Sequence, residues 1–461
     1  GQLAEDSWPS SAWPSFAWPS RFPLPEAGGS RASRAGAPAA ERMDPELGVP
    51  VEEIPRLRYP EELGAERFEA EFASRGQPVV IEGLVDDWPA HQEGPRCWRG
   101  RRVAEVLADG VFECNFEPAD NRMYRFEDGN PSVLLSPGRL RLTYAAFREV
   151  AEVRAEIARL RRASPGAPVD LGAHPRLRQR LQAPLVVQNV PPDPSQVPAR
   201  LLEPLRCRVR DLVPLAFYAA GPLPEALRGD VAPQHAKLLP AWGPPAMERC
   251  WATPGGPFRA ASPPWSEAAC PTPGEDPRIY SCFHFDRMEN LHSLLAGEKE
   301  ALLVAHRDAH VLKGTRFAQQ KQWVVAPVPA SAGGEPYLGP ALLRTAQTEC
   351  ASDQSAVHPL RPARENRLAS GGQWPDDVVA PVLRARLRKG DTLYIPAHHW
   401  HFVASEAPPT LAGGAGDGPL ATSVNFWWWP LHGVEEKRRW TAENEVWSRA
   451  NARVGDPEAL L

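Results

Sequence analysis

Apolar positions recur at helical spacing in several segments of the chain. Within a charged stretch, Leu63, Phe68 and Phe72 form one apolar side, as in an amphipathic helix. Thr143 is a favourable N-cap residue at the start of a longer segment with similar spacing. The pattern predicts helices at residues 59–72, 143–162, 198–212 and 433–453.

Shorter apolar runs, bounded by Gly, Pro and Asp, predict strands. They lie at residues 77–81, 111–116, 184–188, 281–304 and 387–403, and the last two segments each contain two runs. The proline-rich stretch 191–280 predicts mostly irregular structure apart from its one helix. The pattern therefore predicts a mainly β fold with flanking helices.

The first candidate site lies in the hairpin predicted at 281–304. His284 and Asp286 are two positions apart, so on a strand their side chains share one face. Gly297 lies in the predicted turn, and Lys299 begins the return strand. An imidazole and a carboxylate on one face are two of the three side chains that a metal site requires, with an ammonium group nearby.

The third ligand is expected from the histidine cluster that follows Pro396. His399 and His401 share one strand parity, whereas His398 is expected to face away. Two histidines and one carboxylate on one side of a metal ion leave the opposite positions open. That pattern is typical of non-haem Fe(II) oxygenases.

These motifs, in this order, resemble those of the JmjC-domain, cupin-like 2-oxoglutarate oxygenases. They are His-X-Asp, an Asn, Gly-Glu-Lys, then Gly-Asp-X-Leu-Tyr-Ile-Pro with a following Trp-His, and finally Val-Asn-Phe-Trp. Arg307-Asp-Ala and Leu312-Lys-Gly-Thr are most similar to the hydroxylase of a hypermodified tRNA base. Residues 396–401 and 424–427 are similar to hydroxylases of protein side chains.

The resemblance implies a double-stranded β-helix, which is a jelly-roll, cupin-type barrel. It implies Fe(II), 2-oxoglutarate and O2 as cofactors and co-substrates. It identifies His401 as the third ligand beside His284 and Asp286, with His399 as the second choice.

The same resemblance assigns four side chains to the 2-oxoglutarate site. Lys299 would pair with the distal carboxylate of the oxo-acid, and the Ser281 hydroxyl would contact the same group. Asn290 and Asn425 match amides that line this site. At the position matching Val186, several family members carry a tyrosine that binds the cosubstrate, which valine cannot do.

The domain organisation follows from these assignments. Residues 1–50 predict a low-complexity leader without a packed core, because Trp-Pro-Ser recurs with interleaved Pro and Ser. Residues 51–432 would form the oxygenase domain, with insertions near 254–277 and 326–376. Residues 433–461 would form a C-terminal helical tail, which packs on its own chain or forms a homodimer contact.

Composition indicates the cellular compartment and the class of substrate. The formal net charge of −5 gives no global basic field, which favours a protein substrate over tRNA. The seven cysteines include no Cys-X-X-Cys pair, which indicates a reducing intracellular compartment, cytoplasmic or nuclear. No apolar run approaches the roughly 18 residues of a membrane span, so no membrane association is expected.

Three functional hypotheses remain at this point. The first is hydroxylation of a protein side chain, with demethylation of N-methyl-lysine as a variant that follows from hydroxylating the methyl carbon. The second is the same chemistry on a modified tRNA base. The third is a cupin that binds metal without oxidation, as a binding module or an isomerase.

Overall fold

The fold is described from a computed structural model of the chain. It describes residues 49–98, 102, 103, 106, 110–118, 123–127, 130–164, 168–191, 195, 197–231, 238–254, 269–270, 278–309, 312, 319–329, 336–345, 354–359, 366, 381–406 and 420–440. Residues 1–48 of the predicted leader, most of the insertion at 254–277, and residues 441–461 of the predicted tail lie outside these residues.

Strands dominate the described residues. They are β1 Val51–Glu53, β2 Arg56–Arg58, β3 Val79–Glu82, β4 Val111–Glu117, β5 Arg125–Glu127, β6 Asn130–Ser136, β7 Gly138–Thr143, β8 Val169–Asp170, β9 Pro184–Asn189, β10 Leu205–Arg208, β11 Ala216–Pro222, β12 Met247–Pro254, β13 Ala269–Cys270, β14 Ile279–Tyr280, β15 His284–Phe285, β16 Glu289–Ala296, β17 Glu298–Val304, β18 Gln319–Val328, β19 Tyr337–Thr345, β20 Val382–Leu387, β21 Thr392–Ile395, β22 Trp400–Glu406 and β23 Leu420–Trp428.

Helices are few and mostly short. The α-helices are Ala65–Arg67, Tyr144–Ala163, Pro175–Leu181, Val209–Leu212 and Glu225–Arg228. A π-helix spans Phe68–Ala73, and 3-10 turns span Ala199–Leu201 and His306–Asp308. Residues 434–440 are also helical. No helix among the described residues is both long and apolar enough to span a membrane.

Two sheets contain the candidate site. The larger sheet has eleven strands in the order β10-β9-β7-β4-β11-β12-β23-β16-β21-β3-β2. The smaller sheet has six strands in the order β1-β20-β17-β22-β14, with β15 also paired to β22. The described strands form no closed barrel.

The two sheets face each other across a shared apolar core. Leu303 of β17 in the smaller sheet is buried in one cluster with Leu294 of β16 and Leu393 of β21 in the larger sheet. The hairpin predicted at 281–304 is not formed: β16 and β17 pair with different neighbours, and the turn at Gly297 carries the chain from the larger sheet to the smaller one. The candidate ligands lie at one end of this interface.

Several expectations are confirmed. The helix Tyr144–Ala163 follows its predicted cap, and the Thr143 hydroxyl accepts a 3.1 Å hydrogen bond from the Ala146 N–H group. Leu63, Phe68 and Phe72 are all buried on the apolar side predicted for 59–72. That helix begins only at Ala65, because the preceding residues form turns that hydrogen-bond to the Arg58 carbonyl.

Other expectations are wrong. Residues 198–212 form a 3-10 turn, strand β10 and one helical turn, because β10 pairs with β9 along the edge of the larger sheet. Within the stretch predicted to be irregular, β11 and β12 lie in the middle of that sheet. The insertion predicted at 326–376 stays a prediction, and its first part contains most of a β18–β19 hairpin.

Candidate metal centre

Strand register brings two distant histidines together. On the antiparallel pair of β15 and β22, His284 lies directly opposite His401, and their ring centroids are 4.2 Å apart. Directly opposed residues of an antiparallel pair project from the same face. The fold therefore supplies the long-range contact that the local motifs require.

Asp286 completes the group two positions after His284. Its Oδ2 atom lies 3.9 Å from Nε2 of His401, and one donor atom from each of the three side chains lies within 4.8 Å of the others. The Asp286 carbonyl accepts a 2.7 Å hydrogen bond from the His398 N–H group, which connects the acid to the turn before β22. The three side chains can hold a metal ion.

Both imidazoles are oriented by the same kind of backbone contact. Nδ1 of His284 lies 2.9 Å from the Cys282 carbonyl, and Nδ1 of His401 lies 2.9 Å from the His399 carbonyl. Because a carbonyl can only accept, each Nδ1 carries the proton, and each Nε2 has a free lone pair for a metal. The pKa of His401 is lowered to about 4, mainly by burial and to a smaller extent by the nearby His284. The negative charge of Asp286 acts in the opposite direction and raises this pKa. The ring is therefore neutral near pH 7, as a ligand must be.

The other two histidines of the cluster contact different groups. His398 has a positive φ of 63°, in a turn that reverses the chain between β21 and β22. Its ring stacks on Phe285 and contacts Trp440 of the C-terminal helix. His399 contributes its carbonyl to His401. Neither is part of the three-residue group.

Trp427 is a contact of this group that the sequence analysis missed. Its indole Nε1 donates a 3.1 Å hydrogen bond to Oδ2 of Asp286. The signal was present, because Ser423, Asn425 and Trp427 alternate on one face of β23. If Asn425 is expected to line the site, strand alternation predicts the same for Ser423 and Trp427.

Lys299 lies on β17 and is 7% exposed. Its Nζ donates a 2.9 Å hydrogen bond to Oγ of Ser423, across the space between the two sheets. Burial lowers the pKa of Lys299 from its ordinary value to about 7. A buried amine with one hydroxyl acceptor is an incompletely satisfied cation, which an anion would stabilise.

The two predicted amides are in contact. Asn425 Nδ2 donates a 3.0 Å hydrogen bond to Asn290 Oδ1, and both residues are buried. Ser281 has a different environment, because its hydroxyl donates to the Cys282 carbonyl and accepts from the Val403 N–H group. This bridge attaches the segment before His284 to β22, and its single hydroxyl proton is already engaged.

The comparison made at Val186 is wrong. Val186 is 58% exposed on β9, close to the edge of the larger sheet and away from the interface with the smaller one. A tyrosine does lie close to Cys282, which is two positions before His284. Burial raises the pKa of Tyr218 on β11, and nearby Tyr124 and Cys282 raise it further.

The remaining histidines have separate surroundings. His306 is buried and stacks on Trp440 at a centroid distance of 4.6 Å. His432 pairs with Glu69 on the surface, and His310 lies outside the described residues. His292 is buried on β16, opposite Asn425.

Residues 274–432 match the family model of the cupin-like domain, which includes JmjC-type hydroxylases. The match contains the whole group of His284, Asp286 and His401. A cupin-like domain implies a jelly-roll arrangement of its strands, in agreement with the facing sheets. A search among curated proteins found no match.

Proposed function

We propose that the protein is an Fe(II)- and 2-oxoglutarate-dependent oxygenase that hydroxylates a protein side chain. The observation that carries this proposal is the His284, Asp286 and His401 group, with three donor atoms within 4.8 Å inside a cupin-like domain. Two neutral imidazoles and one carboxylate are the donor set that non-haem Fe(II) oxygenases use.

The protein's own contribution is to hold these donors ready. Backbone carbonyls at Nδ1 of His284 and His401 select the ring tautomer in which Nε2 is the metal-binding nitrogen, and Trp427 orients Asp286. Such supporting contacts reduce the reorganisation needed when a metal binds. With the metal ion and cosubstrate bound, 2-oxoglutarate and O2 would yield succinate and CO2, and one oxygen atom would enter a substrate C–H bond.

Lys299 supports the choice of cosubstrate. It is buried between the sheets within the same domain, and its hydrogen bond to Ser423 leaves ammonium protons without acceptors among the residues that the structure describes. A dicarboxylate bound at the triad through its oxo-acid end would present its second carboxylate to such a group. A charge-assisted hydrogen bond to that carboxylate would restore the charged form of the amine.

A protein substrate is favoured over tRNA by charge and by exposed apolar surface. The formal net charge is −5. Trp429 and Leu431, which follow the end of β23 near Trp427, are 52% and 48% exposed. Exposed aromatic and aliphatic side chains near a site favour contact with a polypeptide, whereas tRNA binding requires basic residues.

The test is succinate release from 2-oxoglutarate by the Fe(II)-loaded protein, together with metal binding measured by calorimetry. We expect His284→Ala to abolish both, and Lys299→Ala to reduce succinate release while metal binding is retained. Matched controls are His432→Ala and Lys321→Ala, whose side chains form surface pairs with Glu69 and Glu127. These controls should behave as wild type.

Two outcomes would contradict the proposal. Metal binding without any binding of 2-oxoglutarate would favour a non-oxidising cupin. Turnover stimulated by tRNA, with salt-sensitive tRNA binding, would keep the chemistry and move the substrate to a modified base. We expect instead that a peptide library stimulates succinate release and that a peptide in it gains the mass of one oxygen atom.

A further inference from the structure

His292 lies on the side of β16 that faces the smaller sheet. It is two positions after Asn290 and two before Leu294, so these three side chains share one face. Asn290 bonds to Asn425, and Leu294 packs against Leu303 of β17. The larger sheet therefore presents His292 toward the same interior as Lys299.

His292 lies close enough to two predicted site residues for their charges to affect its pKa. Burial lowers the pKa of His292 well below its usual range, and Lys299 and His401 lower it further. Asn425, directly opposite on β23, opposes this shift through its side chain. The imidazole is therefore neutral and carries a single N–H group, and a carboxylate facing Nε2 would favour the tautomer that holds the proton on Nε2.

One nitrogen of this ring lacks a hydrogen-bond partner. His292 is 7% exposed, and its Nε2 atom is buried without a partner among the described residues. A buried polar atom without a partner costs free energy, and a natural protein keeps one where a ligand or water satisfies it. The neighbouring Lys299 ammonium makes an anion the most favourable ligand at this point.

We infer that His292 is a second binding residue for the distal carboxylate of the oxo-acid, donating from Nε2 beside Lys299. This inference rests on the proposed function and extends it to the selection of a dicarboxylate. One carboxylate oxygen would bind the ammonium of Lys299, and the other would accept the imidazole N–H. Paired donors of this kind favour 2-oxoglutarate over oxo-acids that end in a methyl group.

The test compares two oxo-acids that share one end. 2-Oxoglutarate and pyruvate are each titrated into the Mn(II)-loaded protein without oxygen, and the dissociation constants are measured by calorimetry. Pyruvate has the same oxo-acid group but no distal carboxylate. We expect His292→Phe to weaken 2-oxoglutarate binding about 10-fold, because a hydrogen bond to a charged group is lost. Pyruvate and Mn(II) affinities should stay at the wild-type values.

Further variants separate binding from packing. His292→Met also lacks the N–H donor but has a differently shaped side chain, and it is used if the Phe variant does not fold. His292→Gln keeps an N–H donor and should recover part of the affinity for 2-oxoglutarate. Ser293→Ala is the matched control, because Ser293 is the next residue on β16 and bonds to Thr392 on the opposite face. It should leave both oxo-acids unaffected.

The result that would overturn the inference is equal binding of 2-oxoglutarate by wild type and the donor-free variants. Equal losses for both oxo-acids would likewise show that His292 acts through packing. If the wild-type protein binds neither oxo-acid, the proposed function itself fails. That outcome is recognisable before any variant is examined.

Discussion

Trp427 donates a 3.1 Å hydrogen bond from its indole Nε1 to Oδ2 of Asp286. This bond connects β23 of the larger sheet to the only acidic member of the candidate metal group. Asp286 otherwise follows a strand of two residues, β15, which offers little rigidity of its own. The tryptophan is thus the contact that fixes the carboxylate from the opposite sheet.

Replacing Trp427 with Phe should weaken metal binding while the fold is retained. The aromatic ring still fills its buried position, but the carboxylate loses its orienting donor. Loss of such a supporting contact lowers metal affinity by about 10-fold or more. Calorimetric titration with Co(II) measures the effect. Trp429→Phe is the control, because Trp429 is exposed two positions later, and equal affinities for the two variants would contradict the assigned role.

Binding of 2-oxoglutarate should weaken as pH rises above neutrality. Burial lowers the pKa of Lys299 to about 7, so the unliganded amine is charged below that value and neutral above it. A bound carboxylate raises this pKa again. Above about pH 7, binding therefore takes up a proton, and affinity falls by up to about tenfold per pH unit.

The measurement is the dissociation constant of 2-oxoglutarate between about pH 6 and about pH 9. Lys299→Arg is the informative control, since a guanidinium stays charged throughout this range. Its binding should be weaker, because the geometry differs, but without the Lys299-dependent slope. If the dissociation constant of the wild-type protein changes with pH as steeply as that of the Arg variant, titration of Lys299 does not cause the pH dependence.

Neighbouring residues of the site could be predicted, because the alternation of side chains along a strand depends only on local sequence. This alternation puts His284 and Asp286 on one face, and Gly297 was recognisable as a turn residue. The contact of His284 with His401 is different in kind. It depends on the register of β15 against β22, which many distant contacts determine. Here the sequence supported the prediction only through resemblance to a family.

The failures have identifiable physical causes. β11 has little alternation of apolar and polar residues, and it is a strand because β4 and β12 pair with it on both sides. His398 does face away from the metal group, as predicted, but a turn with positive φ, not strand parity, places it there. The helical tail was predicted from its pattern, but its buried contact between Lys437 and Glu289 was not, because no local signal pairs residues so far apart in the chain.

The pair of Glu289 and Lys437 attaches the C-terminal helix beside the metal centre. Glu289 is 1% exposed and also accepts hydrogen bonds from the Tyr394 hydroxyl and the Ala397 N–H group. Lys437→Met would leave this buried carboxylate without its counter-ion. We expect a loss of about 3–5 kcal/mol in the free energy of unfolding, measured with urea.

A matched exposed pair provides the control for this prediction. Lys321 and Glu127 are 2.7 Å apart and about a quarter to a third exposed. Lys321→Met should cost about 1 kcal/mol or less. The double variant with Glu289→Gln and Lys437→Met should recover part of the stability, because no uncompensated charge remains. A Lys437→Met variant as stable as Lys321→Met would refute the argument.

Gly297 is required at the turn between β16 and β17 for two separable reasons. Its φ of +82° is unfavourable for a residue with a Cβ atom, and a Cβ placed there would lie 2.6 Å from both Ala421 Cβ and the Glu406 carbonyl oxygen. Gly433 has a φ of +55°, and no atom of the described residues lies within 4 Å of the corresponding position. The two glycines therefore differ mainly in crowding.

Replacing each glycine with Ala should separate backbone strain from steric exclusion. Gly433→Ala is expected to cost about 1–2 kcal/mol of the free energy of unfolding, as strain alone. Gly297→Ala should cost about 1–3 kcal/mol more, because backbone on two neighbouring strands must move. It should also weaken 2-oxoglutarate binding, since Lys299 is two residues further along. If the two variants lose equal free energy of unfolding in urea, the β16–β17 turn accommodates the added methyl group. The turn would then not be what positions Lys299.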